Sequence, residues 1–208
     1  MMSRMFFCMV FVAAALGVNS VRAQSIDIVM ISDNPTCSAQ VGTNPFIELQ
    51  VVAILGGEVS ALHGAQFMVA GLPATWNQEN VSWAWDASLT LAFGNPLFAA
   101  NPEQWDDRGA GATIAWSTCQ DPAGARSVRI GKILILGAPT QESVTLRIKP
   151  FQLHPGEPFC PIMTHCDAPV FSTTCVAGGT FVLNGTNRNC NITAVENTTW
   201  SEVKNLYQ

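Results

Sequence analysis

Residues 46–55, FIELQVVAIL, decide the fold. Every second side chain in this stretch is apolar, and the polar residues Glu48 and Gln50 alternate with the first three of these apolar positions. Because successive side chains of a β-strand point to opposite faces, this alternation predicts a strand with one face in a core and the other toward water. The apolar positions are Ile47, Leu49, Val51, Ala53 and Leu55.

The same alternation recurs through most of the chain. Turn-forming residues separate the apolar stretches, as in Gly56-Gly57 and Asp121-Pro122. Short strands with turns between them, and no strand–helix–strand rhythm, predict an all-β fold, an antiparallel β-sandwich of about nine strands. The predicted strands are residues 26–31, 46–55, 65–70, 81–85, 89–93, 114–117, 128–136, 144–149 and 180–183.

Two stretches lack this alternation and are predicted to be loops. Residues 95–111 have little pattern, and residues 105–109, WDDRG, are expected at the tip of that loop. Residues 150–175 contain five prolines and three cysteines. So many prolines exclude a central strand throughout, so we expect disulfide bonds to replace regular structure there.

Composition excludes two classes of protein. The chain has 208 residues, of which 48% are hydrophobic and 12% are charged, whereas intrinsic disorder needs low hydrophobicity and high net charge. Ten basic against fifteen acidic residues leave no basic footprint for nucleic acid. The length suits a single domain with a buried core.

Residues 1–23 have the organisation of a secretory signal peptide. Arg4 precedes an apolar run over residues 5–18, and Val21-Arg22-Ala23 offers a cleavage site before Gln24. A membrane anchor is the alternative, but the run is shorter than the roughly 18–20 residues that a span needs. We expect an exported protein without a membrane span, with a sandwich domain over residues 24–190 and a tail over residues 191–208.

Loss of the leader would remove Cys8 and leave an even set of six cysteines. An even set in an exported chain predicts disulfide bonds, and the sequence does not choose among the pairings. Metal binding is the alternative, since His165 stands beside the last cysteine of a C-x5-C spacing, but zinc sites favour tighter pairs. The six are Cys37, Cys119, Cys160, Cys166, Cys175 and Cys190.

The tail has helical rather than strand periodicity. Thr199 and Glu202 fit a capping box at the start of a short helix. An amphipathic helix this short needs a surface to dock on, which is either its own sandwich or a partner. The docking face is predicted to consist of Trp200, Val203, Leu206 and Tyr207.

The order of these motifs resembles a group of exported six-cysteine β-sandwich proteins of environmental bacteria. Their sandwich is loosely similar to those of cohesin and carbohydrate-binding modules, and it is immunoglobulin-like in type. The resemblance implies location and architecture, and it brings no catalytic residue with it. The motifs that carry it are Pro45-Phe46-Ile47, Thr118-Cys119-Gln120, Cys160-Pro161, Cys166-Asp167, Cys175-Val176, Cys190 and Thr199-Trp200-Ser201.

The sequence contains none of the common catalytic motifs. It has no Gly-x-Ser-x-Gly elbow, no His-Glu-x-x-His helix and no phosphate-binding glycine loop. The histidines His63, His154 and His165 lie in turn-like or proline-rich contexts. Asp106 and Asp107 are too few for calcium, which takes six to eight oxygen ligands. We expect no enzymatic activity, no cofactor and no metal.

Tryptophan is the surplus that points to binding. Trp76 and Trp105 lie in predicted loops and are the better candidates for exposed ligand contacts. Trp83 and Trp85 share one face of a predicted strand, where they form either a stacking platform or part of the core, and the core is favoured. Exposed aromatic side chains can bind either sugar rings or protein partners.

The sequence therefore predicts an exported, non-catalytic binding or interaction module. Its partner would be an extracellular protein or a polysaccharide, with no role for nucleic acid. A carbohydrate-binding module is one alternative. A structural subunit of a surface layer or filament, self-assembling through edge strands or the tail, is another.

Overall fold

Thirteen β-strands account for the regular structure in the part of the chain that the computed structural model describes: residues 24–30, 36–41, 46–56, 59–98, 111–122, 126–136, 142–151, 159–166 and 171–186. These ranges contain no helix, and so none that is long and apolar enough to cross a membrane. The predicted all-β fold class is confirmed. The strands are β1 Ser25–Val29, β2 Ser38–Ala39, β3 Phe46–Ile54, β4 Leu62–Ala70, β5 Val81–Trp85, β6 Leu91–Gly94, β7 Ala112–Gln120, β8 Ser127–Leu136, β9 Val144–Lys149, β10 Ile162–His165, β11 Ser172–Cys175, β12 Ala177–Gly178 and β13 Thr180–Leu183.

The strands form two sheets around one core. The first sheet has the order β12-β1-β3-β8-β5. The second has the order β11-β10-β4-β9-β13-β2. In addition, β7 pairs with β4, on the side of β4 opposite to β10, and β6 pairs with β7. Most pairs are antiparallel, and β1–β12 and β13–β2 are parallel. Fully buried side chains from both sheets meet between them, among them Phe67, Trp116 and Phe181 from the second and Leu49 and Ile133 from the first.

The strand that decides the fold is more deeply buried than its alternation predicts. β3 lies inside the first sheet, in antiparallel register with β1 and β8. Its first residues alternate between exposed and buried, but both faces are buried from Leu49 onward, including Gln50 and Val52. The strand is therefore confirmed, whereas its half-buried character holds only for its first half.

Gly179 joins the two sheets at one side of the sandwich. Its N–H donates to the carbonyl of Ile26 in the first sheet, and its carbonyl accepts from the N–H of Ile148 in the second. A Cβ atom at this position would lie 1.9 Å from Oδ1 of Asp27. Only glycine allows so close an approach, and the chain can therefore pass from β12 in one sheet to β13 in the other.

The proline-rich stretch 150–175 differs from its prediction as a loop. It contains β10, which pairs with β4, and β11, which pairs with β10. Cys160 and Cys175 are joined by a disulfide bond across this hairpin. The bond adds to regular structure here rather than replacing it, because each four-residue strand is held by its neighbour in the sheet.

The expectation of disulfide bonds is confirmed. Besides Cys160–Cys175, a bond joins Cys119 at the end of β7 to Cys166, which directly follows β10. Cys37 is also disulfide-bonded. Cys190 lies outside the described residues, as do the predicted signal peptide and the predicted tail helix.

Candidate functional site

Two rows of outward-facing side chains cross five strands of the second sheet. Adjacent strands are in register along each row, in the strand order β6-β7-β4-β10-β11. The alternating positions, such as Phe67, Ile114 and Met163, point into the core, so the rows point away from it. We call this surface the two-row face. One row is Phe93, Thr113, Gln66, Ile162 and Cys175, and the other is Leu91, Ala115, Gly64, Thr164 and Thr173.

The two-row face is long, narrow and uncharged. Four spacings between neighbouring strands make it roughly 19 Å long, and residues two apart along a strand put the rows roughly 7 Å apart. None of its ten side chains carries a charge. A shallow groove of about 180 Å³ lies on it, lined by Gln66, Thr113, Ile162, Thr164 and Thr173 among others.

Gly64 keeps the middle of this face shallow. It lies on β4 between β7 and β10, where a Cβ atom would come within 2.7 Å of the carbonyl oxygen of Ile114. Ala115 beside it also has a small side chain. The low middle of this row, between Leu91 at one end and the side chains of Thr164 and Thr173 toward the other, gives the surface the form of a groove.

Phe151 is buried beside the start of β7 and contacts one residue of the face. Its ring packs over Gly111, where a Cβ atom would lie 1.9 Å from the ring. Its carbonyl oxygen accepts a hydrogen bond of 2.5 Å from Nε2 of Gln66. This bond fixes the orientation of the Gln66 amide at the edge of the face.

Exposed aromatic and aliphatic side chains frame the two rows. At the β6 end, 61% of Phe93 and 47% of Leu91 are exposed. At the β11 end, Phe171 is exposed and its ring contacts that of His63 edge-on, with 4.1 Å between centroids. Phe159, which is also exposed, immediately precedes the disulfide partner of Cys175. Apolar contacts are thus available at both ends of a hydroxyl-rich centre.

Three threonine hydroxyls of the two-row face are not used by the fold. In the part of the chain that the structure describes, the side chains of Thr164 and Thr173 make no hydrogen bond. The Thr113 hydroxyl is buried, and it too has no partner there. The hydroxyls of Thr164 and Thr173 can each donate and accept, so the face offers directional polar contacts without charge.

A polar network fixes the turn that leads into β6. Nε1 of Trp116 donates to Oγ of Ser88 over 3.0 Å, and that Oγ donates to Oδ1 of Asp86 over 2.7 Å. Arg129 on β8 binds the other carboxylate oxygen. Burial raises the pKa of Asp86, but the hydrogen bonds from Ser88 and the Arg129 charge outweigh it and hold the pKa below its usual value. The network ties β8 of one sheet to β7 of the other.

This network positions β6 and its exposed side chains. The turn has a second anchor where Oγ1 of Thr90 accepts a 2.8 Å hydrogen bond from the N–H of Ser117. Leu91 and Phe93 follow directly after it on β6. Their place at the end of the two-row face is therefore set by contacts that span the sandwich.

The second carboxyl group with a shifted pKa lies away from this face. Asp27 is buried on β1 in the first sheet, where it accepts a hydrogen bond from Oγ of Ser25. Burial raises the pKa of Asp27, and the hydrogen bond offsets part of that effect. Within the described ranges, no group of three or more His, Cys, Asp or Glu side chains is placed to hold a metal ion.

The three predicted tryptophan contacts within the described residues, Trp76, Trp83 and Trp85, lie away from the two-row face. Trp76 is only 5% exposed and belongs to the core, so the expectation that it is exposed is wrong. Trp83 and Trp85 pack edge-on with 5.0 Å between centroids, and Trp83 lies 6.0 Å from Phe67. Both are partly buried against the core, and they form no outward row. This agrees with the core alternative for that pair.

The remaining predicted site residues fall outside the described part of the chain. They are Trp105, Cys190, Trp200, Val203, Leu206 and Tyr207. Their proposed roles as ligand contact, disulfide partner and docking surface stay predictions. The residues of the two-row face were not predicted as a site. Alternation places Leu91 and Phe93 on one side of a strand, but it does not reveal which strands lie beside it.

Comparison with known proteins supplies no family. No protein-family model and no curated protein matches the chain. It is similar to the cohesin module of a Clostridium perfringens family 33 glycoside hydrolase, with a TM-score of 0.45 and 10% identity, over 76% of this chain and 94% of that one. The chain is also similar to AvmM, which catalyses macrocyclization in alchivemycin A biosynthesis, with a TM-score of 0.34 and 12% identity, over 81% of this chain and 92% of that one. A third similar structure is a chain of a CaDoc0917–CaCohA2 complex, with a TM-score of 0.30 and 12% identity, over 77% of this chain and 99% of that one.

These similarities assign no activity or partner to the chain. The class that its own strands and bonds define is a disulfide-bonded, all-β sandwich. What it does must be argued from its surface.

Proposed function

We propose that this protein is an exported, non-catalytic binding module whose binding surface is the two-row face. The observation that carries the proposal is the face itself: an uncharged surface of five strands, with a groove on four of them and exposed Leu91 and Phe93 at the β6 end. Exposed apolar side chains rimmed by polar groups mark interaction sites on soluble proteins. The rows also stand on paired strands, which are rigid supports for a site.

Export is supported by the chemistry of the cysteines. Disulfide bonds persist in oxidising compartments outside the cytosol. One cysteine of each bond, Cys119 in Cys119–Cys166 and Cys175 in Cys160–Cys175, is exposed, so both bonds would be accessible to the reductants of a cytosol. The predicted signal peptide over residues 1–23 belongs to the same proposal.

The absence of catalysis is part of the proposal and rests on the use of the acidic groups. In the part of the chain that the structure describes, the carboxyl groups with shifted pKa values are those of Asp86 and Asp27, and both are engaged in the packing of the fold. Neither lies among the ten residues of the two-row face. A general acid or base needs to reach its substrate within hydrogen-bond distance.

The test compares two matched double variants of the full chain. Leu91→Ala with Phe93→Ala truncates the two-row face, and Leu136→Ala with Phe46→Ala truncates an apolar pair of similar exposure on the first sheet. Retention is measured on a panel of insoluble polysaccharides and immobilised extracellular proteins. We expect one material to retain the wild type and the first-sheet variant and to release the Leu91/Phe93 variant. Equal retention of both variants, or no retention of the wild type on any material, would overturn the proposal.

A further inference from the structure

We propose that the occupant of the two-row face is a single chain of a neutral polysaccharide, lying across the strands along the groove. This inference rests on the proposed function and names the class of ligand for the same surface. Three properties of the face carry it: its charge, its dimensions and the kind of polar group that it presents.

Charge argues for an uncharged ligand. All ten positions of the two-row face are neutral, in a chain whose formal net charge is −5. An anionic polymer would meet no basic side chain among these ten residues and would approach a protein of its own sign. A cationic one would find no carboxylate there to pair with.

Dimensions argue for a narrow, linear ligand. The face is roughly 19 Å long with roughly 7 Å between its two rows. A specific protein–protein interface takes about 800 Å² and about 20–30 residues from each partner. Ten small and medium side chains fall well short of that, whereas a face roughly 19 Å long can take several linked sugar rings.

The polar groups match a ligand that is rich in hydroxyls. The backbone groups of the central strands, β4, β7 and β10, are paired within the sheet, so an extended peptide could pair only with the outer edge of β6 or β11 and not along the middle of the groove. What the face presents instead are the hydroxyls of Thr164 and Thr173, which make no hydrogen bond in the described part of the chain. Hydroxyls both donate and accept, as the hydroxyls of sugars do.

Apolar contacts complete the match at the ends of the groove. The faces of sugar rings carry C–H groups, and aromatic rings present a complementary negative face. Phe93 at one end and Phe171 at the other are both exposed. A chain that spans the groove can therefore contact a phenyl ring at each end and threonine hydroxyls between them.

The experiment is native affinity electrophoresis of the full chain in gels that contain one soluble polysaccharide. Hydroxyethylcellulose, mixed-linkage β-glucan and galactomannan are the neutral probes, and polygalacturonate is the anionic one. The acidic chain migrates toward the anode, and binding to the polymer slows it. We expect retardation by at least one neutral polymer and none by polygalacturonate.

Two variants separate the contacts. Leu91→Ala with Phe93→Ala should weaken binding at least about tenfold, because it removes the apolar contact at one end. Thr164→Val with Thr173→Val keeps side-chain shape and removes both hydroxyls, so it should also weaken binding to a polysaccharide. A protein partner held by apolar contacts would tolerate that change or bind more tightly. The first-sheet variant, Leu136→Ala with Phe46→Ala, should bind like the wild type.

Each other outcome overturns the inference. No retardation by any neutral polymer, retardation by polygalacturonate of equal strength, or loss of binding in the first-sheet variant would contradict it. Retention on an immobilised protein that depends on Leu91 and Phe93, without binding to any polysaccharide, would overturn this inference and leave the proposed function standing. Circular dichroism and thermal unfolding show that each variant is folded before it is scored.

Discussion

Removal of either disulfide bond in the described part of the chain should lower the free energy of unfolding by an amount that follows the length of chain it closes. Cys160–Cys175 spans 15 residues and Cys119–Cys166 spans 47. The loss of conformational entropy in the unfolded chain gives about 3 kcal/mol for the first and about 4 kcal/mol for the second at 25 °C. Cys119 and Cys175 are exposed, so little packing is lost with the sulfurs.

The assay is urea unfolding of three proteins: the wild type, Cys160→Ala with Cys175→Ala, and Cys119→Ala with Cys166→Ala. Midpoint and slope are fitted together, because removal of a cross-link expands the unfolded chain and raises the slope. Peptide mapping of the unreduced proteins verifies the remaining bonds, including the partner of Cys37. Either loss is a large share of the free energy of unfolding of a typical domain, which is roughly 5–15 kcal/mol.

The reasoning is refuted if the free energy of unfolding falls by less than about 1 kcal/mol in both variants. It is also refuted if removal of the Cys160–Cys175 bond, which closes the shorter loop, lowers that free energy more than removal of the Cys119–Cys166 bond does. A small loss would mean that the unfolded chain is already compact without the bonds. A reversed order would mean that the contribution of each bond lies in the folded sheet rather than in the unfolded chain.

Three further changes test the packing. Asp27→Asn should stabilise the protein at pH 7, because burial raises the pKa of Asp27 and wild-type stability therefore falls as pH rises from the ordinary pKa of 3.8 to the folded pKa. The gain in stability should shrink on acidification, and unfolding at several pH values measures it. Ser88→Ala should cost about 1–3 kcal/mol in chemical unfolding because it leaves the buried Trp116 N–H without its acceptor, whereas Ser117→Ala should change little. Gly179→Ala should cost at least about 1–3 kcal/mol in the same assay, since its Cβ would overlap Asp27, and a melting temperature equal to that of the wild type would contradict the close approach.

Strands with long local patterns could be predicted from the sequence, whereas those held by distant partners could not. β3 and β8 carry enough alternating apolar side chains to be recognised alone. β10 and β11 have four residues each and stand among prolines. They are strands because β4 pairs with β10, and β4 is about a hundred residues away in the sequence.

Trp76 shows a second limit of local reasoning. Turn residues such as Gly71 and Pro73 place it in a loop, and loops usually lie on the surface. Its N–H donates to the carbonyl of Pro73 in a tight turn, and the indole is buried in the core. Whether the side chain of a loop residue points inward depends on the elements that the loop crosses, and those are not visible in its own sequence.

The two-row face shows the same limit for the candidate site. Phe93 and Thr173 lie on one surface because five strands pair in the order β6-β7-β4-β10-β11. That order brings residues from four separate parts of the chain together. Composition indicated a surplus of aromatic side chains, but the exposed ones on this face are phenylalanines and not the tryptophans that the sequence singled out.

The most direct test of the central claim is the mapping of the bound surface by NMR. A ¹⁵N-labelled sample of the full chain is titrated with short neutral oligosaccharides from the polymer that retards it most. The account predicts that the amide shifts concentrate on the five strands of the two-row face, with the largest near Thr113, Thr164 and Thr173. Shifts concentrated on β3 and β8 of the first sheet, or no shifts at saturating oligosaccharide, would contradict it.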